Sequence, residues 1–264
     1  MKLKIATAAI LLLLIVQFVK GQTKTTWNNK QCAVVLTYDD AIDIDLDNVV
    51  PVLDSLHLKG TFYIIGSSEV VTKRLNEWRT AAKEGHELGN HSLYHPCDGT
   101  LPGRSFVTPD HDLSKYTVDR AVSEIKVNNT LLKAIDGKTD RTFAYPCGDL
   151  KIGDVYFYDQ LKNEFAGARG VTPGLQTINQ VDLTNIDCYA INGQSAEYMI
   201  GLVKQAMQTH TLLVFLFHGV GGGHSLNVDK GEHNKLLHFL KQNEKQVWIA
   251  PMVDVARYIK SHGK

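Results

Sequence analysis

The feature that most constrains the fold is a repeated alternation of strand-like and helix-like stretches. A short apolar run such as "CAVVLTY" (residues 32–38) is followed by an amphipathic stretch, and this pattern recurs along about 240 residues. Alternation of this kind predicts a parallel sheet with helices packed outside it. The run "LLVFLF" (residues 212–217) is apolar on both faces, which is typical of a buried parallel strand.

The number of these units predicts an α/β fold, a distorted (β/α) barrel of about seven parallel strands. An open, doubly wound sheet is the alternative. In both folds the active residues lie at the carboxyl ends of the strands, so residues that directly follow strands are the first candidates for a site.

The first 21 residues are predicted to be a signal peptide. Lys2 and Lys4 precede an apolar run over residues 5–19, and Gly21 follows as the expected cleavage point. An uncleaved membrane anchor is the alternative, although the run is short for a span of about 20 residues. We therefore expect a secreted or periplasmic protein with one domain over residues 22–264.

The charge of the chain gives no support for a nucleic acid or an anionic membrane as its partner. It has 28 basic and 28 acidic residues and no net formal charge at pH 7. The oligomeric state stays open.

Two carboxylates stand side by side at the end of the first strand. Neighbouring residues of a strand point to opposite faces, and two like charges at the end of a buried strand repel each other and resist desolvation. Because the strand ends there, Asp39 and Asp40 can both turn toward one crevice. The pair therefore suggests a site that uses both carboxylates.

Three further strand ends carry candidate site residues. His91 and His95 are four residues apart, one helical turn, so their imidazoles can converge on one metal ion, and Pro96 limits any helix to a single turn. His218 ends the most apolar strand as a candidate acid or base. The turn "YPCG" (145–148) could expose backbone N–H groups. Surface histidines, a structural histidine and an ordinary turn are the alternatives.

Taken together, these strand ends resemble the motifs of the polysaccharide deacetylase family, carbohydrate esterase family four, also called the NodB-homology domain. "TYDD" (37–40), "HSLYH" (91–95), "AYPCG" (144–148, in part) and "LFH" (216–218) match its motifs in order. The resemblance spans about residues 32–258 and implies the (β/α) barrel expected above. It also implies hydrolysis of N-acetyl or O-acetyl groups on a glycan.

The resemblance implies a role for each matched residue. Asp40, His91 and His95 correspond to the ligands of a divalent transition metal, with zinc the first candidate. Asp39 corresponds to the general base and His218 to the acid that protonates the leaving group. The backbone N–H of Cys147, in the loop that begins with Tyr145, corresponds to an oxyanion donor. Leu216 corresponds to a wall of the acetyl pocket.

The sequence departs from the family at two motifs. Ala144 stands where the family has an arginine that orients the base, and Arg141 is not a direct substitute. In the region of the fourth motif Asp187 is a weak candidate for the residue that tunes His218. Trp248 could wall the site or pack in the core.

We expect a polar or cationic side chain from elsewhere to reach Asp39 in place of the missing arginine, and Arg169 is the candidate donor, because it ends the strand after the "YPCG" unit. A solvated surface arginine is the alternative. If Arg169 replaces it, its guanidinium should lie within about 4 Å of the carboxylate of Asp39.

The four cysteines allow three disulfide pairings, and all four could also be free thiols. Since Cys97 and Cys147 follow two motifs that must meet at one crevice, we expect a Cys97–Cys147 disulfide. The long loop over residues 93–116 carries three aromatic residues that could stack on sugar rings or pin the loop to the barrel: Tyr94, Phe106 and Tyr116.

The predicted protein is thus a secreted, metal-dependent carbohydrate deacetylase whose partner is an acetylated glycan. Two alternatives stay open. One is an amidohydrolase that acts on a small non-sugar amide. The other is a catalytically silent glycan-binding domain on the same fold, which the missing arginine would suit.

Overall fold

A computed structural model describes residues 27–263, so the predicted signal peptide over residues 1–21 lies outside the described part of the chain. The main sheet has eight strands, and all of its pairings are parallel. The strands are Cys32–Asp39 (β1), Thr61–Ile64 (β2), Glu87–Asn90 (β3), Phe143–Ala144 (β4), Ala168–Arg169 (β5), Tyr189–Ala190 (β6), Leu212–Phe217 (β7) and Val247–Ile249 (β8).

Seven strands follow one another in the order β5-β4-β3-β2-β1-β7-β6. The eighth strand, β8, pairs with the first half of β1, where Cys32 lies beside Val247, whereas β2 pairs with its last residues. The residues just before β6 lie beside β5 through a bridge between Ile186 and Arg169. The sheet thus curls into a distorted (β/α) barrel, and the predicted fold is confirmed.

Within residues 27–263, seven α-helices lie between or after these strands, together with a π-helix over Asp45–Val49 and short 3₁₀ turns. The α-helices are Val50–Ser55 (α1), Glu69–Lys73 (α2), Leu75–Lys83 (α3), Val118–Asp136 (α4), Ala196–Thr209 (α5), Lys230–Gln242 (α6) and Met252–His262 (α7). Among residues 27–263, no helix has the length and apolar character to cross a membrane.

The longest helix, α4, has the terminal signals that its sequence predicts. Thr117 caps its amino end by accepting a hydrogen bond from the backbone N–H of Arg120. Gly137 ends it with a φ of 75°, the left-handed conformation that glycine adopts at little cost.

Alternate residues of β1 face two different apolar clusters. Val34, Leu36 and Tyr38 pack in the cluster that includes residues of the surrounding helices. Ala33 and Val35 pack in a second cluster with alternate residues of β7. Full burial of a side chain of this size contributes about 1.5–3 kcal/mol. The register is therefore fixed, because a slip by one residue would exchange the two faces.

Candidate active site

Both carboxylates of the Asp39–Asp40 pair reach one cavity because the backbone reverses at the end of β1. Asp39 continues the alternation of Ala33 and Val35 and is buried. Asp40 has a φ of 82° and Ala41 a φ of 55°, both in the left-handed region that L-residues seldom adopt. This reversal turns the side chain of Asp40 toward the cavity that Asp39 lines.

The two histidines converge without the helical turn that we expected. Residues 91–96 form bends and irregular backbone with no helical turn, so the predicted single turn is wrong. The φ angles of Ser92 and His95 are 63° and 54°, and two local hydrogen bonds hold this path. Asn90 Oδ1 accepts from the N–H of Ser92 at 2.7 Å, and Ser92 Oγ accepts from the N–H of His95 at 2.8 Å. The two imidazole centroids lie 4.6 Å apart.

Asp40, His91 and His95 form a set of atoms that fits one cation. Asp40 Oδ1 lies 3.6 Å from His91 Nε2 and 3.7 Å from His95 Nε2. A shared ion about 2.0–2.2 Å from each ligand requires ligand atoms no more than about 4.4 Å apart. Asp40 Oδ1 is also buried and has no hydrogen-bond partner among the described residues. A carboxylate oxygen without a hydrogen-bond partner, close to two imidazole nitrogens, is a donor set that suits a divalent transition metal.

The environment keeps both imidazoles in the form that binds a metal. Burial lowers the pKa of His91 to about 3 and that of His95 to about 4, so both rings are neutral at pH 7. His91 Nδ1 donates to the carbonyl oxygen of Ala144 at 2.9 Å, since that oxygen can only accept. Its Nε2 therefore carries the lone pair, and it faces Asp40.

Arg169 pairs with Asp39, as predicted, and the alternative of a solvated surface arginine is wrong. The guanidinium of Arg169 is fully buried and donates to Asp39 Oδ2. It also donates to the carbonyl oxygen of Gly170 at 3.1 Å and lies 5.1 Å from the ring centroid of Tyr63. Because β5 neighbours β4, its Arg169 can serve the site from one strand beyond the position of Ala144.

The two neighbouring carboxylates have opposite pKa shifts. Burial is the largest single influence and would raise the pKa of Asp39, but the charge and hydrogen bond of Arg169, together with His91 and His218, outweigh burial and lower that pKa below its usual range. Burial and the nearby charge of Asp39 raise the pKa of Asp40. A cation beside Asp40 would offset both of these effects and keep its carboxylate ionised.

The Cys97–Cys147 disulfide joins the loop after His95 to the turn after β4, with the two Cα atoms 5.8 Å apart, and this prediction is confirmed. Cys32 and Cys188 are free and buried. The same two segments are joined by a bidentate ion pair, in which Arg104 donates to both oxygens of Asp149 at 3.0 and 3.1 Å. The turn with the proposed oxyanion donor is thus held from two directions.

All the predicted site residues line one cavity of about 710 Å³. They are Asp39, Asp40, His91, His95, Tyr145, Cys147, Leu216 and His218. Burial lowers the pKa of His218, whose Nε2 lies 4.0 Å from Asp40 Oδ2. Their individual roles stay predictions, but the chain places all of them where one substrate could meet them.

The aromatic residues of the long loop have different positions. Phe106 is 64% exposed and lines the cavity. Tyr116 is buried and pins the loop to an apolar cluster beside α4. Tyr94 stacks on His111, with centroids 5.2 Å apart. Only Phe106 is thus placed to meet a ligand in this cavity.

Two weaker candidates do not join the site. Trp248 packs against Tyr258, with centroids 5.1 Å apart, and belongs to the core. Asp187 lies against Gly174, and within residues 27–263 no ion pair joins it to His218. The carboxylate that faces His218 is that of Asp40.

His224 is a cavity residue to which the sequence assigned no role. It follows three consecutive glycines after β7, and its ring stacks on that of His218. The signal that could have found it is the spacing: a histidine six residues after a strand-end histidine, across a glycine-rich loop that can fold back.

Comparison with known proteins identifies the class. The family model described as polysaccharide deacetylase matches residues 27–163, about half of the chain. The chain therefore belongs to the polysaccharide deacetylase family.

Two curated relatives illustrate how the similarity is distributed. A gellan lyase of a Bacillus species is 26% identical over 260 residues, which cover 88% of this chain and 9% of that protein. The peptidoglycan-N-acetylmuramic acid deacetylase PdaA of Bacillus subtilis is 27% identical over 124 residues, 45% of this chain and 39% of that protein. The chain thus spans well under half the length of these relatives.

Solved structures with the same fold include enzymes and a pseudoenzyme. A protein of Mycobacterium smegmatis assigned as a polysaccharide deacetylase has a TM-score of 0.62 and 13% identity, covering 88% of this chain and 91% of that one. The peptidoglycan N-acetylglucosamine deacetylase Bc1960 has a TM-score of 0.56 and 19% identity, covering 86% and 88%. A mutant of BA3943, a family-four pseudoenzyme, has a TM-score of 0.52 and 17% identity, covering 86% and 68%. These likenesses concern the fold alone.

Proposed function

We propose that this protein is a metal-dependent carbohydrate deacetylase that hydrolyses N-acetyl or O-acetyl groups of a glycan outside the cytoplasm. The observation that carries the proposal is the orphaned oxygen of Asp40. It is buried between the Nε2 atoms of His91 and His95, at 3.6 and 3.7 Å, with no hydrogen-bond partner among the described residues. A pure glycan-binding domain would have no use for such a set.

Asp40, His91 and His95 are the residues that would hold the cation, and the nitrogen-rich set favours zinc. When bound, a divalent cation acidifies a water molecule and polarises the acetyl carbonyl. The set supplies only three protein ligands, which leaves room for water and substrate, as catalytic rather than structural sites do.

Asp39 is suited to act as the general base. Arg169 occupies its Oδ2 and keeps the carboxylate ionised, whereas its Oδ1 is buried and has no hydrogen-bond partner among the described residues. The free oxygen can accept the proton of the attacking water, and the paired one keeps the carboxylate oriented. This chain lacks the family's arginine at position 144, and Arg169 on β5 takes its place.

The remaining residues complete a hydrolytic site. Cys147 and Leu216 line the same cavity, the first as the candidate backbone donor to the oxyanion and the second as a wall for the acetyl methyl group. His218, at the end of the neighbouring strand β7, can pass a proton to the leaving group from within this cavity.

The test is acetate release from a panel of N-acetylated and O-acetylated glycans, with a small non-sugar acetamide in parallel. We expect acetate from at least one glycan, its loss with a chelator, and its recovery when zinc is added back. Acetate from the small amide alone would favour the non-sugar amidohydrolase. Glycan binding without acetate release would favour the silent binding domain; the similar fold of BA3943 belongs to a pseudoenzyme of this family.

Export is the second part of the proposal. It rests on the predicted signal peptide over residues 1–21 and on the Cys97–Cys147 disulfide, since disulfides persist mainly in oxidising compartments. Mass spectrometry of protein recovered from outside the cytoplasm should find an amino terminus at Gln22. Full-length protein confined to the membrane would reject cleavage.

A further inference from the structure

The loop after His218 follows a path that depends on glycine. Gly221, Gly222 and Gly223 have φ angles of 75°, 125° and 82°, a conformation that L side chains rarely adopt. A Cβ at Gly219 would lie 2.3 Å from the carbonyl oxygen of Gly222. These glycines let the chain fold tightly back, and the next residue is His224.

Folding back places the ring of His224 directly over the site. It stacks on His218, with centroids 4.8 Å apart and planes 14° apart. Its Nε2 lies 3.8 Å from Oδ2 of Asp40. The other carboxylate oxygen, Oδ1, is the one that faces His91 and His95. His224 thus approaches a different oxygen of Asp40 from the one that the proposed metal ligands approach.

The backbone fixes which nitrogen of His224 carries the proton. The N–H of Leu226 donates to His224 Nδ1 at 3.0 Å, and a backbone N–H can only donate. In the neutral ring the proton must therefore be on Nε2, which faces Asp40. His91 shows the opposite arrangement, because its Nδ1 faces a carbonyl oxygen and its Nε2 carries the lone pair. One histidine is set as a ligand and the other as a donor.

We propose that His224 is a positioning residue whose Nε2–H holds Oδ2 of Asp40, so that Oδ1 stays directed at the cation site. The 3.8 Å separation is longer than a hydrogen bond, and one bridging water or a shift of about 1 Å completes the contact. This inference rests on the metal set proposed above. Hydrogen-bond donors to ligating carboxylates typically change metal affinity by about 10- to 100-fold.

The test measures the zinc dissociation constant of the whole protein by competition with a chromophoric chelator. We expect His224→Ala to raise it by about 10-fold or more. His224→Gln keeps an N–H donor at similar reach and should stay within about threefold of wild type. The matched control is His238→Ala, which removes an exposed histidine of α6 and should change nothing.

The outcomes separate this inference from the proposed function. A wild-type protein that binds no zinc would overturn both. Zinc affinity unchanged in His224→Ala would overturn the inference alone, and so would equal losses in the Ala and Gln variants, since these would reflect a lost ligand rather than a lost donor. A second readout needs no metal: nuclear magnetic resonance of the ring nitrogens should find the neutral proton of His224 on Nε2. A proton on Nδ1 would reject the donor role.

Discussion

Buried carboxylates lie at both ends of the strands, but their surroundings differ. At the amino ends of β2 and β3, Glu87 accepts four hydrogen bonds, two from Thr142 and one each from Thr61 and the N–H of Val253, at 2.7–2.9 Å. At the carboxyl ends, by contrast, one oxygen of Asp39 and one of Asp40 are buried without a hydrogen-bond partner.

The difference in hydrogen bonding distinguishes a polar network that stabilises the fold from a candidate active site. A buried polar group that is fully hydrogen-bonded stabilises one arrangement, whereas one without a partner costs about 1–3 kcal/mol. A protein tolerates this cost where a ligand or a reacting group binds the unpaired atom. The nearby Arg141 serves the fold in a similar way, since it pairs with Asp136 and donates to the carbonyl oxygen of Leu88, although its Nε has no hydrogen-bond partner among the described residues. The arginine of the site, Arg169, leaves one oxygen of Asp39 free.

The largest expected effect is that of Asp39→Asn at the carboxyl end. Asn keeps the shape of the side chain but cannot take up the proton, so acetate release should fall by about 10²- to 10⁴-fold. Zinc affinity, measured by chelator competition, should change little because Asp39 is outside the proposed ligand set. Near-native turnover would show that Asp39 is not the base.

The next effect is that of Arg169→Met, which leaves the charge of Asp39 buried and unpaired. The free energy of unfolding, measured with urea, should fall by about 3–5 kcal/mol. Turnover of the folded protein should fall by about 100-fold because the base is no longer held. In the Asp39→Asn/Arg169→Met double variant, the loss of stability should be smaller than the sum of the single losses. Additive losses would mean that the two side chains do not interact.

At the amino end we expect the reverse pattern from Glu87→Gln, the matched change of a buried carboxylate to its amide. The Gln amide group would face hydrogen-bond donors, so the free energy of unfolding should fall by about 1–3 kcal/mol. Turnover per folded molecule and zinc affinity should match wild type. If fully folded Glu87→Gln protein lost most of its turnover, the amino ends of the strands would not be purely structural.

The smallest effect concerns the pH dependence of stability. Burial lowers the pKa of His86 to about 4, and its Nδ1 accepts from the N–H of Gly60 at 3.1 Å. In the unfolded chain the pKa of His86 is higher, about 6.5. The contribution of the neutral His86 to stability is therefore complete above pH 6.5 and is lost as the pH falls toward 4.

Between pH 7 and 5 this loss should be about 2 kcal/mol. His86→Asn keeps an acceptor for Gly60 but cannot titrate, so urea unfolding at the two pH values should show a smaller difference than in wild type. If the free energy of unfolding changed equally between the two pH values in both proteins, His86 would not be the source of the pH dependence.

The sequence by itself determined the strands, the order of the motifs and the residues at the strand ends. Apolar periodicity reports which residues face a core, and polar residues stand out where that periodicity stops. Asp39, Asp40, His91, His95 and His218 could therefore be found without coordinates. Arg169 could also be proposed, because neighbouring parallel strands end at the same side of a sheet.

Only the tertiary structure decided how these side chains meet. The helical turn predicted for His91 and His95 is replaced by left-handed residues at Ser92 and His95, held by hydrogen bonds to side chains that spacing does not reveal. His224 reaches Asp40 only because three glycines fold the loop back. Spacing along the chain fixes local geometry, but the direction of a side chain after a strand depends on backbone angles and on partners from distant segments, and these exist only once the barrel has formed.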